Sequence, residues 1–193
     1  MPVKVKTPKV ILLDIEGTTT SIRFVSEKLF PAIRANIRDY LQVNWNNPEV
    51  RVTIDKLIQQ YEQDKQSGIK APELNRSGTD AEQIEKVAKN VLWQMDNQRK
   101  NDSLIQIQIL VWVFVYEADK LQGHVFDDVV DCMRNWREAG IRIFIYSSGL
   151  VTAHQLLFAK SSQGNLHELI NDFIDASIGS KTDPKSYKQI AKR

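Results

Sequence analysis

Three runs of consecutive apolar residues punctuate this chain, and a long stretch with helical spacing separates the first from the second. Val10-Ile11-Leu12-Leu13 is apolar at every position and ends at acidic residues and a glycine. A run without alternation predicts a strand covered on both faces, as in a parallel sheet. The second run, residues 141–146, reads Ile-Arg-Ile-Phe-Ile-Tyr, with Arg142 its one polar break and Ser-Ser-Gly directly after it. Phe173-Ile174-Asp175-Ala176 is a weaker third candidate.

Between the first two runs, apolar residues recur at helical intervals. Phe30, Ile33, Ile37 and Tyr40 form one set; Ile84, Val87, Val91 and Met95 a second; Leu104, Ile107, Val111 and Val115 a third. Thr79 or Asp80 stands where the second of these helices needs a cap. Residues 67–78 carry two glycines and a proline and read as a loop. Pro31 belongs early in its helix, where a missing N–H costs least. Residues 125–137 make a further amphipathic helix, stopped by Ala139-Gly140, and residues 184–193 read as a last one. There is no internal repeat and no low-complexity segment.

The order is therefore strand, large helical insert, helix, strand, helix, short strand, helix. Strands alternating with helices predict an α/β fold: a Rossmann-like parallel sheet with right-handed crossovers. The insert is too long for one crossover and is expected to form a helical cap inserted after the first strand, over the sheet's edge. The expected division is a core of residues 1–20 and 125–193, with a cap of residues 21–124.

Composition narrows the function classes. The chain has 193 residues, 42% hydrophobic and 26% charged, ordinary for a soluble globular protein. A net charge of +2 gives no bulk field to attract nucleic acid or a membrane surface, and neither partner is expected. Cys132 is the only cysteine, so there is no internal disulfide and no thiolate zinc cluster. Residues 1–9 are too polar for a secretory leader. The longest apolar run, residues 109–116, falls far short of the ~20 residues that a membrane helix needs. These features predict an intracellular, soluble protein.

In open parallel sheets, ligands bind beyond the carboxyl ends of the strands. Three polar clusters fall there: Asp14-Ile15-Glu16-Gly17-Thr18-Thr19, then Ser147-Ser148-Gly149, then Lys181 in Ile178-Gly179-Ser180-Lys181. A carboxylate, a hydroxyl and an ammonium converging on one point suit phosphoryl transfer. Asp14 is placed to attack phosphorus and Glu16 to protonate the leaving oxygen and then activate water. Gly17 permits a sharp turn. Ser147 and the N-terminus of the following helix suit phosphate oxygens, and Lys181 suits the charge that develops on them. Each cluster alone has a plainer use: Asp14 as a turn residue, Ser-Ser-Gly as an N-cap, Lys181 as a solvated lysine. His124, His154 and His167 are scattered and carry no assigned role. Trp45, Trp93, Trp112 and Trp136 read as helix packing. Only the conjunction, in chain order and after apolar strands, favours chemistry.

At this point the sequence resembles a known family. Asp14-Ile15-Glu16-Gly17-Thr18-Thr19 is similar to the first motif of the haloacid-dehalogenase-like phosphatases, commonly Asp-x-Asp-Gly-Thr, with Glu at the third position. Trp136-Arg137-Glu138-Ala139-Gly140, Ile145-Tyr146-Ser147-Ser148-Gly149, Leu156-Leu157-Phe158, Ile178-Gly179-Ser180-Lys181 and Asn90-Val91-Leu92-Trp93-Gln94-Met95 look like those of the enolase-phosphatases of methionine salvage, or acireductone synthases. The resemblance implies conversion of 2,3-diketo-5-methylthiopentyl-1-phosphate, through an enol phosphate, to acireductone and phosphate. It implies Mg2+, a small phosphorylated substrate, and a cytoplasmic monomer that in some members is also nuclear. It gives Asp14 the roles of nucleophile and metal ligand, and Glu16 those of acid/base and metal contact. Ser147 and Ser148 become substrate-binding, Lys181 phosphate-binding, and the insert a cap that closes over substrate.

The resemblance also implies a fourth motif, an acidic strand end that adds a carboxylate to the metal. The 12 residues after Lys181 read as helix, so the sequence stops ahead of it. Without that strand, residues 10–15 are expected to keep a long apolar edge, and the chain alone to be unstable or prone to aggregate. Ile109 stands where the family tends to have Gly, which alters local cap packing. Two other readings stay open: a truncated, catalytically impaired isoform or fragment that keeps phosphate or partner binding, and a receiver-like signalling domain. Receivers place an acidic pair before the phosphorylated Asp and lack a large insert after the first strand, so the last fits poorly.

Overall fold

The computed structural model describes residues 6–193 and divides into two compact units. One comprises Met1–Lys28 with Asp119–Arg193, the other Leu29–Ala118. Residues 1–5, which begin the expected core segment and the stretch too polar for a secretory leader, lie outside the described residues.

The first unit is built on a parallel sheet of three strands, β1 (Val10–Leu13), β2 (Arg142–Tyr146) and β3 (Asp172–Ile174), in the order β1-β2-β3. Val10 pairs with Arg142 and Leu13 with Ile145; Phe144 pairs with Asp172 and Tyr146 with Ile174. The register aligns the carboxyl ends, so Asp14, Ser147 and Asp175 each stand one residue past a strand. Helices α6 (Asp127–Glu138), α7 (Val151–Ala159) and α8 (Pro184–Ile190) belong to the same unit, as does the short turn α1 (Ile22–Phe24).

β2 is the buried strand: Ile143 and Ile145 are inaccessible and pack with Val130, Met133, Leu157, Phe158 and Phe173. On the opposite face, Phe144, Tyr146 and Ile174 pack with Leu12, Ile178 and Ile190. Arg142, the polar break, is exposed and lays its guanidinium over the Phe144 ring, 5.6 Å from the centroid. Two strand expectations need correction. β1 is covered only partly: Leu13 packs on one face and Leu12 on the other, but Val10 is exposed and Ile11 to Leu13 are half-buried, and β1 has one neighbour and a free edge among the described residues. The third strand runs Asp172–Ile174, and Asp175 turns out of it to cap a short 3-10 turn, accepting from Ser177 N–H at 3.0 Å.

The second unit is all-helical: α2 (Phe30–Asn44), α3 (Pro48–Gln66), α4 (Asp80–Asp96) and α5 (Asp102–Glu117). Its core draws on the three predicted apolar sets, with Ile33, Ile37, Val91, Ile107, Val111 and Val115 essentially inaccessible, but Phe30 is exposed and Met95 only half-buried. Thr79 closes a reciprocal capping box with Glu82 at the start of α4. Pro31 lies in the first turn of α2, which continues directly from a π-helical turn at Val25–Leu29. α3 is an addition to the sequence reading. Asn47 caps it and Pro48 opens it, and it buries Val50, Thr53, Ile54 and Leu57 at helical spacing. No helix among the described residues is long and apolar enough to cross a membrane.

Candidate active site at the carboxyl ends of the strands

The turn after β1 winds around one carbonyl. Ile15 C=O accepts from the N–H groups of Thr18, Thr19 and Thr20 at 3.2, 2.9 and 3.0 Å, and Gly17 N–H donates to Thr20 C=O at 2.8 Å. Gly17 takes φ +78°, a conformation that costs glycine little and other residues more. Thr19 and Thr20 are fully buried, so their hydroxyls must find partners. Thr19 Oγ1 donates to Asp14 C=O at 3.1 Å, and Thr20 Oγ1 meets His124 Nδ1 at 2.9 Å. Ser21 N–H also donates to His124 Nδ1, at 3.2 Å, and Phe126 N–H donates to Thr19 C=O. The chain leaving the turn is thus tied at two points to residues 124–126.

These bonds leave the Asp14 carboxylate half-buried at the strand's end, where it forms an ion pair with Lys181 Nζ. The pair is separated by 167 positions in sequence. Lys181 is itself held on two sides. Tyr187 Oη donates to its carbonyl at 2.8 Å, and its ammonium lies 5.8 Å from the centre of the Tyr146 ring. Tyr146 Oη donates in turn to Gly179 C=O at 2.7 Å, so β2 and the loop carrying Lys181 are fixed to each other. Tyr146, Ser148, Ala176, Gly179, Ser180 and Lys181 line a pocket of about 450 Å³ beside this pair.

Among the sequence-predicted residues, Asp14 and Lys181 come into contact, and Ser148 and Lys181 share the pocket wall. Ser147 is buried at the end of β2, with its N–H bonded to Ile174 C=O at 3.1 Å. The plainer use of the two serines, as caps for α7, does not apply: Leu150 is the N-cap and no side chain caps the helix. Glu16 is exposed on the turn, two residues from Asp14.

Two residues that the sequence reading missed belong to the same neighbourhood. His154, in the first turns of α7, is buried. Burial is the main cause that lowers its pKa to about 4; Asp175 opposes the shift, Lys181 adds to it and Asp14 opposes it. Asp175 is held below the usual carboxylate range chiefly by its hydrogen bonds from Ser177. A polar residue directly after an apolar strand run was the available signal for Asp175, but the sequence placed it inside the strand. His154 gave no signal, because a histidine in an apolar helix reads as core.

For a divalent cation, Asp14 and Glu16 offer hard oxygen donors of the kind Mg2+ prefers. Among the described residues no cluster of three or more acidic, imidazole or thiol side chains is formed. The donor set suits an ion that draws its remaining ligands from water and substrate phosphate.

A carboxylate, an ammonium against it and a hydroxyl-lined pocket at the ends of a parallel sheet suit phosphoryl transfer. The chain belongs to the haloacid dehalogenase-like hydrolases, whose family profile matches residues 8–193. It is 43% identical over 190 residues to enolase-phosphatase E1 of Danio rerio, covering 96% of this chain and 72% of that protein. It is 42% identical over 184 residues to enolase-phosphatase E1 of Xenopus tropicalis, covering 94% and 71%. Within these hydrolases it belongs to the enolase-phosphatase E1 group. The crystal structure of UTR4 protein from Saccharomyces cerevisiae aligns with a TM-score of 0.66 at 26% identity, over 95% of this chain and 75% of that one.

Proposed function

We propose that this chain is a magnesium-dependent enolase-phosphatase that turns 2,3-diketo-5-methylthiopentyl-1-phosphate into acireductone and phosphate in methionine salvage. The observation that carries the reading is the Asp14–Lys181 pair at the ends of the strands, in a chain of the enolase-phosphatase E1 group.

In this reading the substrate first enolises, a proton leaving C1 as one reaches the C2 carbonyl oxygen, and Asp14 then attacks the phosphorus of the enol phosphate. A bond forms between its carboxylate oxygen and phosphorus as the bond from phosphorus to the substrate's C1 oxygen breaks. The electron pair leaves on that oxygen, which takes a proton from the Glu16 carboxyl. Glu16, now a carboxylate, removes a proton from water; the water oxygen attacks the aspartyl-phosphate, phosphate departs and Asp14 is restored. Lys181 Nζ stabilises charge on the phosphoryl oxygens. Its contact with Asp14 also lowers the repulsion between a carboxylate and a phosphate dianion. Ser147, Ser148 and the uncapped start of α7 bind phosphoryl oxygens. Magnesium, held by Asp14 and Glu16, supplies further neutralisation of that charge when bound. The substrate is a small phosphorylated molecule, the enzyme works as a monomer, and its place is the cytoplasm.

Phosphate release with magnesium present tests this. Asp14→Asn should abolish turnover, and Lys181→Ala should lower kcat/KM roughly 100- to 1,000-fold. Turnover that survives Asp14→Asn overturns the reading.

A further inference from the structure

Lys181 reaches Asp14 from the loop between β3 and α8, at the end of a flexible four-carbon stem. Where its ammonium stands is therefore set by where the backbone of that loop is anchored. Two tyrosine hydroxyls anchor it. Tyr146 Oη donates to Gly179 C=O at 2.7 Å, and Tyr187 Oη donates to Lys181 C=O at 2.8 Å. The two rings meet edge to face, 5.9 Å between centroids at 83°, and the Lys181 ammonium lies 5.8 Å from the Tyr146 centroid. α8 also presses on the loop: Gly179 takes φ +131°, and a methyl group built there would collide with Ser186 Oγ. Tyr146 is buried in the core of the sheet, so its hydroxyl bond comes with packing. Tyr187 is different. It is 44% exposed, its ring lines the apolar groove beside Phe144 and Ile190, and its hydroxyl holds the backbone of the residue that carries the site's cation.

We propose that Tyr187 is a positioning residue of the phosphatase site: by holding the Lys181 carbonyl, its hydroxyl places the ammonium against Asp14. The inference rests on the phosphatase reading given above and adds a residue that touches neither substrate nor nucleophile. Tyr187 stands six positions after Lys181, so the loop and the first turns of α8 close on themselves beside the Lys–Asp pair. Freeing the carbonyl lets the stem swing towards solvent, to which 37% of the Lys181 side chain is already open. Substrate binding would lose little, since a displaced ammonium still attracts a phosphate. The transition state would lose more, because stabilising charge that develops there depends on placement.

The test uses the full chain, its phosphorylated substrate and magnesium. Tyr187→Phe keeps the ring and deletes the hydroxyl. It should lower kcat roughly 3- to 10-fold, the loss expected for one hydrogen bond, with KM nearly unchanged. In a Lys181→Ala background the same change should have little further effect, because the group it positions is gone. A second readout needs no turnover. Lys181 paired with Asp14 should resist trace acetylation, read by mass spectrometry against the other lysines of the chain. Asp14→Asn should expose it, and Tyr187→Phe should raise its labelling towards that level. A Tyr187→Phe chain with wild-type kcat, or one that loses as much in the Lys181→Ala background as alone, overturns the inference. Lys181 labelling unchanged by Tyr187→Phe overturns it too. If Lys181→Ala still lowers turnover in that case, the phosphatase reading stands without it. A wild-type chain that releases no phosphate overturns the phosphatase reading, and the labelling then decides the positioning alone.

Discussion

Because Ser21 N–H can only donate, His124 Nδ1 must accept, and the neutral ring carries its proton on Nε2. That one nitrogen also meets Thr20 Oγ1, so it steadies the segment that leaves the Asp14 turn. Removing it leaves a backbone N–H and a buried hydroxyl without their partner. His124→Ala should lower stability by roughly 1–3 kcal/mol in urea unfolding, and His124→Asn, whose amide oxygen replaces Nδ1, should restore most of it. His154 makes a pH-dependent prediction. Its folded pKa, about 4, lies below the ordinary 6.5, so between those values the unfolded chain binds the extra proton. Stability should then fall as pH drops from about 6.5 towards about 4, by up to about 3 kcal/mol, and change little from this cause above 6.5. Denaturation midpoints across that range should show the loss in the wild type and a flatter curve in His154→Phe. Asp14 was legible in the sequence because it directly follows an apolar run, and Lys181 because it stands in a segment that resembles the family's; the structure pairs them. His124 and His154 were not, because their value lies in contacts that only the folded backbone creates, one of them 104 positions away.

At the scale of elements, the helices were read from apolar spacing, and Thr79 from the chemistry of capping. α3 was passed over because its buried face is narrow and its other faces are crowded with Gln, Lys, Glu and Asp. What fixes α3 is a polar contact invisible to periodicity. Asp64 is buried on α3, and Arg99, in the loop before α5, grips both its oxygens at 2.6 Å while Gln60 donates to one of them. Breaking such a pair strands a buried charge. Arg99→Met should therefore cost roughly 3–5 kcal/mol by denaturant unfolding, and adding Asp64→Leu to it should regain a large part of the loss. If the single variant unfolds like the wild type, the pair is not what anchors α3. β1 shows the opposite limit. Its sequence has the pattern of an interior strand, yet pattern reports the environment a strand prefers, and the environment here is a sheet edge with an apolar groove lined by Val10, Leu12, Phe144 and Ile190.

Across the whole molecule, each unit has its own apolar core, and every group placed in the mechanism falls in the unit built on the sheet. The parallel register brings Asp14, Ser147 and Asp175 to one end of the sheet, and the loop after β3 carries Lys181 back to Asp14. The fold class followed from the alternation of strand and helix runs, whereas the substrate came only from resemblance, since no residue pattern spells a methylthio group. The most direct measurement is on the covalent intermediate. The chain is mixed with its phosphorylated substrate and magnesium, quenched in acid, and its peptides analysed by mass spectrometry. The account predicts a hydroxylamine-labile phosphoryl group on Asp14, absent from Asp14→Asn. Steady phosphate release with Asp14 never labelled, and persisting in Asp14→Asn, would contradict it.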